Sequence, residues 1–179
     1  DDRSIWYIGL HQFRTLVVDA RGLAPKVVEA VLALVQEDRR GTVIASELLA
    51  AQVRMVRELG LYDSAFVPQL QAASSEFYRS EAAAYHEADG ALWVERAHSR
   101  LDDEANRCRR FFAPGTERML LDIVGQELVA KHADALLASC FDRLLEESQH
   151  ELLSKLFRLY KRVSKVDLVA GAITLHIRT

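Results

Sequence analysis

Six histidines and two cysteines are the residues of this 179-residue sequence whose chemistry could reach beyond packing. Two imidazoles at i and i+4 would share one helix face, which is the arrangement a helix-borne zinc site needs. His11, His86, His98, His132, His150 and His176 fall on different predicted helices or turns, with no pair at i, i+3 or i+4, so one helix cannot make such a site. No spacing supports a site gathered from several helices, and the histidines read as surface or packing residues. Cys108 and Cys140 lie in apolar stripes without metal or redox spacing and read as reduced, buried thiols. The chain has neither a Gly-x-Ser-x-Gly elbow nor a phosphate-cradling glycine loop. The expected site assignment is therefore empty: no catalytic, cofactor-binding or metal-ligating residue, and no cofactor.

Clustered cations are the other candidates. Lys155, Arg158, Arg162 and Lys165 recur at spacings of three, four and three, and Arg107, Arg109 and Arg110 form a second group. Either could contact an acidic partner. With Lys and Arg totalling 23 against 26 Asp and Glu, the net charge is -3, and solvated faces with i, i+4 pairing are the favoured reading. The same balance gives no electrostatic reason to expect nucleic acid or an acidic membrane as the main partner.

The elements that must carry these side chains are helical. Half the residues are hydrophobic, only three prolines and eight glycines interrupt them, and the β-branched residues sit in helical periods, which defines an all-α class. No window approaches the ~18 consecutive apolar residues of a membrane span, and no basic-then-apolar leader precedes a cleavage site, so a soluble protein is expected. The chain opens on Asp1 and closes on Thr179 directly after an apolar pattern, and it reads as a fragment.

Nine helices are expected. Ser4 can cap the first, with Ile5, Ile8, Leu16 and Val17 inward and Trp6, Leu10 and Phe13 widening the apolar surface; Gly22 ends it. Pro25 opens a second, buried helix through Val27, Val28, Val31, Leu32, Leu34 and Val35. A charged turn from Glu37 to Gly41 leads to a third carrying Leu48, Leu49, Val53, Val56 and Leu59, stopped by Gly60. Asp63 or Ser64 can cap a fourth with the stripe Phe66, Leu70, Phe77, Tyr78 and Tyr85. Pro68 forces that helix to begin near Val67 or to distort its first turn. Asp89 and Gly90 break the chain before a long amphipathic helix, Leu92 to Phe112, whose apolar face is Val94, Ala97, Leu101, Cys108 and Phe112. Its Glu95, Arg96, Asp102, Asp103, Arg107 and Arg109 belong to a face for water or a neighbour's polar edge. Trp6 and Trp93 stand near helix starts, where partial burial would suffice.

Ala113, Pro114 and Gly115 are the sharpest punctuation, after which Thr116 can cap a sixth helix with Leu120, Ile123, Val124, Leu128 and Val129. A seventh, with Ala133, Leu136, Leu137, Phe141, Leu144 and Leu145, continues it past a bend near His132. Ser148 and Glu151 match a capping box opening an eighth, with Leu152, Leu153, Leu156, Leu159 and Tyr160, and a ninth runs from about Asp167 to Ile177. The second and third helices and the seventh and eighth form similarly spaced pairs, which places a repeat boundary at Ala113 to Gly115.

Read as a whole, the sequence resembles the amino-terminal arm of cullins, over its second helical repeat and most of its third. Ile5, Trp6, Gly9, Leu10, Phe13 and Arg14 resemble the opening of this segment in cullin-4 proteins, with cullin-3 proteins next. Arg39, Gly41, Ile44, Leu48 and Leu49 match the family's turn and helix start. Tyr62, Ser64, Phe66, Leu70, Phe77, Tyr78 and Glu81 follow its fourth helix, and Arg100, Leu101, Glu104 and Arg107 its fifth. Thr116, Glu127, Leu128, His132, Leu156, Leu159, Arg162 and Val163 continue in register. Ala45 stands where relatives carry a helix cap, so that start is expected to be weaker or shifted to Ser46. Lys165, Val166 and Asp167 replace a glycine-containing turn, and Pro68 and Pro114 are unusual at their places.

The resemblance implies an elongated stack of cullin-type helical-bundle repeats, with residues 1-112 one repeat and 113-179 part of the next. It also implies a non-catalytic scaffold segment of a cullin-RING E3 ubiquitin ligase, a rigid spacer between the substrate-receptor module and the RING and ubiquitin-conjugating end. The implied partners are ubiquitin-ligase-binding proteins: a β-propeller or BTB substrate adaptor through a first repeat that the chain lacks, and a RING protein through an equally missing carboxyl-terminal part. Neither nucleic acid nor membrane is implied, and the location would be cytoplasm and nucleus. The rival reading is a helical-rod subunit of another assembly, such as a vesicle-tethering complex of the exocyst kind.

Overall fold

A computed structural model describes residues 2–85 and 89–178. The expected cap Ser4 and the indole of Trp6 lie outside the described side chains, and His86 lies outside the described residues. Among the described residues the chain is all-α: α1 Asp2–Phe13, α2 Ala24–Arg39, α3 Ser46–Glu58, α4 Val67–Tyr85, α5 Gly90–Phe111, α6 Pro114–Leu128, α7 Ala133–Glu146, α8 His150–Arg162 and α9 Val166–Arg178. Packing separates two compact units, residues 1–73 with 110–112 and residues 74–109 with 113–179. These units follow packing, cut inside α4 and near the end of α5, and are a different division from the repeat boundary read at Ala113.

The first unit is held by two matched stripes. Val28, Val31 and Val35 of α2 and Leu49, Val53 and Val56 of α3 repeat at three and four residues and are all buried, as are Phe66 and Leu70. Leu48, expected inside, is 48 % exposed, one position off the α3 stripe. Arg39, read as part of a charged turn, is instead in the last turn of α2 and 2 % exposed. Ala45 is the N-cap of α3 and supplies no side-chain bond, so the helix proper begins at Ser46.

Two wide π-turns mark where the simple period fails. Between Arg14 and Asp19 the chain underwinds into a wider turn after α1. Val18 is the buried residue there, while Ile5, Ile8, Phe13 and Leu16, expected inward or at the core edge, are 49–73 % exposed. An apolar face in sequence says what a helix can bury; here no other described element covers it. The second π-turn, Tyr62–Phe66, precedes Pro68. The Phe66 amide donates to Leu61 O at 2.9 Å, a five-residue reach. Pro68 has no amide hydrogen and would clash with the carbonyl four residues back, so α4 begins at Val67 after a widened turn. Neither Asp63 nor Ser64 caps it: no side-chain cap bond is made, and the Ser64 hydroxyl donates back to Gly60 O at 3.3 Å.

The second unit packs Tyr78, Tyr85, Trp93, Val94 and Ala97 with apolar residues of α6, α7, α8 and α9 into one core. A 3-10 turn, Ala130–His132, makes the bend expected near His132. Two other expected caps are displaced. Pro114 takes the first position of α6, leaving Thr116 inside its first turn and buried, with Ala113 as an N-cap that makes no side-chain bond. Ser148 ends α7 instead of starting α8. At Ser148 (φ 53°) and Ser164 (φ 57°) the backbone is left-handed. The Ser148 amide donates to Leu145 O and that of Gln149 to Leu144 O; Ser164 and Lys165 repeat the pattern on Lys161 and Tyr160. Both are Schellman closures with serine where glycine is usual. A left-handed L-residue costs about 1–2 kcal/mol, less the entropy glycine loses on folding. Ser148→Gly and Ser164→Gly are each expected to stabilise by roughly 0.5–1 kcal/mol, read as a small rise in the melting temperature. No change, or a fall, would show that the serine side chains make compensating bonds.

Candidate functional site

The polar residues with the most structure around them lie where α4 faces α5. Arg100, Glu104 and Arg107 are spaced four and three residues apart on one side of α5. The Arg100 Nε donates to Glu81 Oε1 at 2.8 Å, and the Tyr85 hydroxyl donates to the same oxygen at 2.7 Å. Four residues further along α5, the Tyr78 hydroxyl and Arg107 Nη1 donate to Glu104 Oε2 at 2.5 and 2.6 Å. Glu104 is fully buried and Arg107 is 6 % exposed. The sequence reading gave Arg107 to a face for water or a neighbouring helix's polar edge; Arg107 is instead buried on Glu104 of its own helix, and Glu104 in turn accepts from Tyr78 of α4. Burial first, and then the Glu81 carboxylate, push the Tyr85 phenol well above its ordinary range, so it stays neutral at physiological pH.

Beside this seam a cleft of about 360 Å³ is lined by Glu81, Tyr85, Arg96, Ser99, Arg100 and Asp103. Arg96 sits over the Tyr85 ring at 5.6 Å. Two guanidinium and two carboxylate groups face the cleft, and the inner pair is already joined. The cleft therefore presents charge of both signs.

A second polar network ties α4 to α6. Glu127, 6 % exposed, accepts from Lys131 Nζ at 2.6 Å, with Arg79 Nε at 3.8 Å. Trp93, expected to be partly buried, is 2 % exposed, and its indole donates to Leu128 O at 2.9 Å, satisfying a carbonyl at the end of α6. Its ring contacts Tyr85 at 5.8 Å and His132 at 5.5 Å. Burial raises the Cys140 thiol to about 11.

The other sequence candidates are dispersed. His98 Nδ1 is 3.4 Å from Asp102, His176 Nδ1 is 3.2 Å from Asp142, and His11 and His150 are exposed. Among the described residues no three His, Cys, Asp or Glu side chains could hold a metal ion. The group Arg107, Arg109 and Arg110 has no common target: Arg107 is buried on Glu104, Arg109 bonds Asn106 at 2.7 Å, and Arg110 bonds Ser46 Oγ at 2.6 Å. Lys155 pairs with Glu151 at 3.0 Å, as i, i+4 pairing anticipates.

Asp89 is a residue sequence reasoning named only as a break. Its Oδ1 accepts from the Ala91 amide at 3.2 Å, an N-cap for α5, and from the Arg143 guanidinium of α7. The Arg143 hydrogen bond, then that from Ala91, hold its carboxyl below the usual range. A carboxylate with a depressed folded pKa stabilises above its unfolded value of about 3.9, and that contribution is lost as pH falls through the folded value. Asp89→Ala is expected to cost about 1 kcal/mol at pH 7 and progressively less below pH 4. Urea titrations of both proteins at pH 7 and pH 3 check this; a difference independent of pH would assign the effect to the neutral cap alone.

These helices form an α-solenoid domain. A family model described as the Cullin alpha solenoid domain matches residues 1–179. Human Cullin-4A is 26 % identical over 161 residues, covering 89 % of this chain and 21 % of that protein. Cullin-3B of Arabidopsis thaliana is 27 % identical over 178 residues, covering 96 % and 24 %. Cullin-6 of Caenorhabditis elegans is 32 % identical over 141 residues, covering 78 % and 19 %. The chain belongs to the cullin family and spans about a fifth to a quarter of the length of these relatives. The pattern Arg100, Leu101, Glu104, Arg107 that carried the resemblance is thus the α5 half of the α4–α5 seam, and Tyr78 and Glu81 are its α4 half.

Proposed function

We propose that this chain is a non-catalytic scaffold segment of a cullin-RING E3 ubiquitin ligase, a stiff spacer that fixes the distance between a substrate-receptor module and the RING end. The match of the cullin solenoid domain to all 179 residues carries this reading. On it, residues 1–112 form one cullin repeat of the arm and 113–179 part of the next, and this segment contributes no catalytic residue. The polar seams support a spacer. The Tyr78 bond to buried Glu104 and the partly buried Arg100–Glu81 pair tie α4 to α5 and resist sliding, because a slip leaves a carboxylate without its partner, and positioning raises effective concentration only when geometry is held.

Exposed apolar residues on α1 (Ile5, Tyr7, Ile8, Phe13) and α9 (Ile173, Leu175, Ile177) give further support. Solenoid repeats bury such faces against neighbouring repeats. The RING protein and a β-propeller or BTB adaptor would bind other parts of the full-length protein, in cytoplasm and nucleus. Buried thiols outside any disulfide among the described residues suit those reducing compartments. Affinity capture of the full-length protein from its own cells is the test. Recovery of a RING protein with an adaptor is the expected result; recovery of vesicle-tethering subunits in their place would overturn the reading.

A further inference from the structure

We propose that the solvent face of α8 docks an acidic polypeptide segment. The inference stands on α8 alone and is independent of the ligase reading. Residues 148–179 carry six Lys and Arg against two acids, whereas residues 1–147 have a net charge of -7. The excess is concentrated on one face: Arg158, Lys161 and Arg162 are exposed, opposite the buried Leu156, Leu159 and Tyr160, with Lys165 half-buried just beyond the helix. No ion pair joins any of these four cations to an acid among the described residues, while Lys155, a turn earlier, is already matched by Glu151.

Their spacing makes the arrangement unfavourable in the isolated chain. On the helix Arg158 is i+3 from Lys161 and i+4 from Arg162, so it faces two like-charged neighbours, while Lys165 follows just beyond the closure at Ser164. Lys161 and Arg162 gain from the carbonyl end of the helix dipole, but Arg158 and Lys165 lie outside that last turn. A ligand bringing carboxylates relieves the repulsion. Arg158 to Arg162 span about 6 Å along the helix at 1.5 Å per residue, the reach of a few acidic residues. Phe157, 44 % exposed and i+4 from Lys161, offers an apolar contact at the edge of the patch. The patch is one helix face wide, and the rest of the chain would repel a long polyanion. A short acidic peptide with one apolar residue therefore fits better than RNA.

The test is fluorescence anisotropy with a labelled twelve-residue Asp/Glu peptide carrying one central Leu. Expected are binding that weakens steeply with salt and at least a tenfold loss with Arg158→Glu/Lys161→Glu. Arg158→Gln/Lys161→Gln should give a smaller loss, with unchanged far-ultraviolet circular dichroism in both. The control Arg54→Glu/Arg118→Glu makes the same change in net charge on exposed cations elsewhere and should leave affinity within twofold. An equal loss in the control, binding insensitive to the α8 substitutions, or a twelve-nucleotide RNA binding as tightly as the peptide would each overturn the proposal.

Discussion

Arg107→Met is expected to destabilise the chain by about 3–5 kcal/mol, the usual cost of removing one partner from a buried ion pair. The reason is the position of Glu104. It is fully buried, it accepts from Arg107 at 2.6 Å, and no water can replace the guanidinium without opening the packing of α4 on α5. Methionine keeps much of the volume and apolar reach of the arginine stem, so the loss reports charge and not a cavity. For a chain of this size the melting temperature should fall on the order of 10 °C. The diagnostic measurement is the combined variant Tyr78→Phe/Glu104→Leu/Arg107→Met. Replacing all three removes both buried charges together, and much of the lost stability should return. A triple variant less stable than Arg107→Met would mean that the network contributes net stability of its own.

That network also shows where sequence reading stops. The apolar stripes of α2, α3 and α5 were legible because a 3.6-residue period needs only residue types, and Val94, Ala97 and Cys108 are buried as that period requires. Pro68 could be read as a forced start for α4 because its missing amide hydrogen is a property of the residue itself. Burial of Glu104 and Arg107 was not legible, since charge on a helix face has the same pattern whether it meets water or Tyr78 of another helix. Caps failed for a related reason. Ser148, Thr116 and Ser64 are all competent capping residues, and a bond to a free amide depends on where the chain turns by a single residue. The α1 face shows the converse: its apolar residues were read correctly as apolar, but nothing in their spacing could say whether another described element covers them.

Among the glycines of the second unit Gly90 has the least room, and here even the smallest side chain should be felt. A Cβ added there would lie 2.2 Å from Ser139 Oγ and 2.8 Å from Cys140 Cβ. The serine hydroxyl can rotate away. The Cys140 Cβ is fixed to the α7 backbone, so relief requires the start of α5 to move from α7. That displacement pulls on groups already committed: the Asp89 cap and its bond to Arg143, and the packing of Trp93 in the core. Gly90→Ala is therefore expected to destabilise by about 1–3 kcal/mol, the range of overpacking, although alanine is the better helix former. Ser139→Ala alone should be nearly silent, because the half-exposed hydroxyl bonds only its own helix at Leu136 O. Combined with Gly90→Ala it should recover part of the loss, since it removes the 2.2 Å contact and leaves the 2.8 Å one. Urea unfolding of the three variants reads all of this. Complete recovery would place the whole clash on the hydroxyl, and no loss in Gly90→Ala would show that the α5–α7 contact yields without cost.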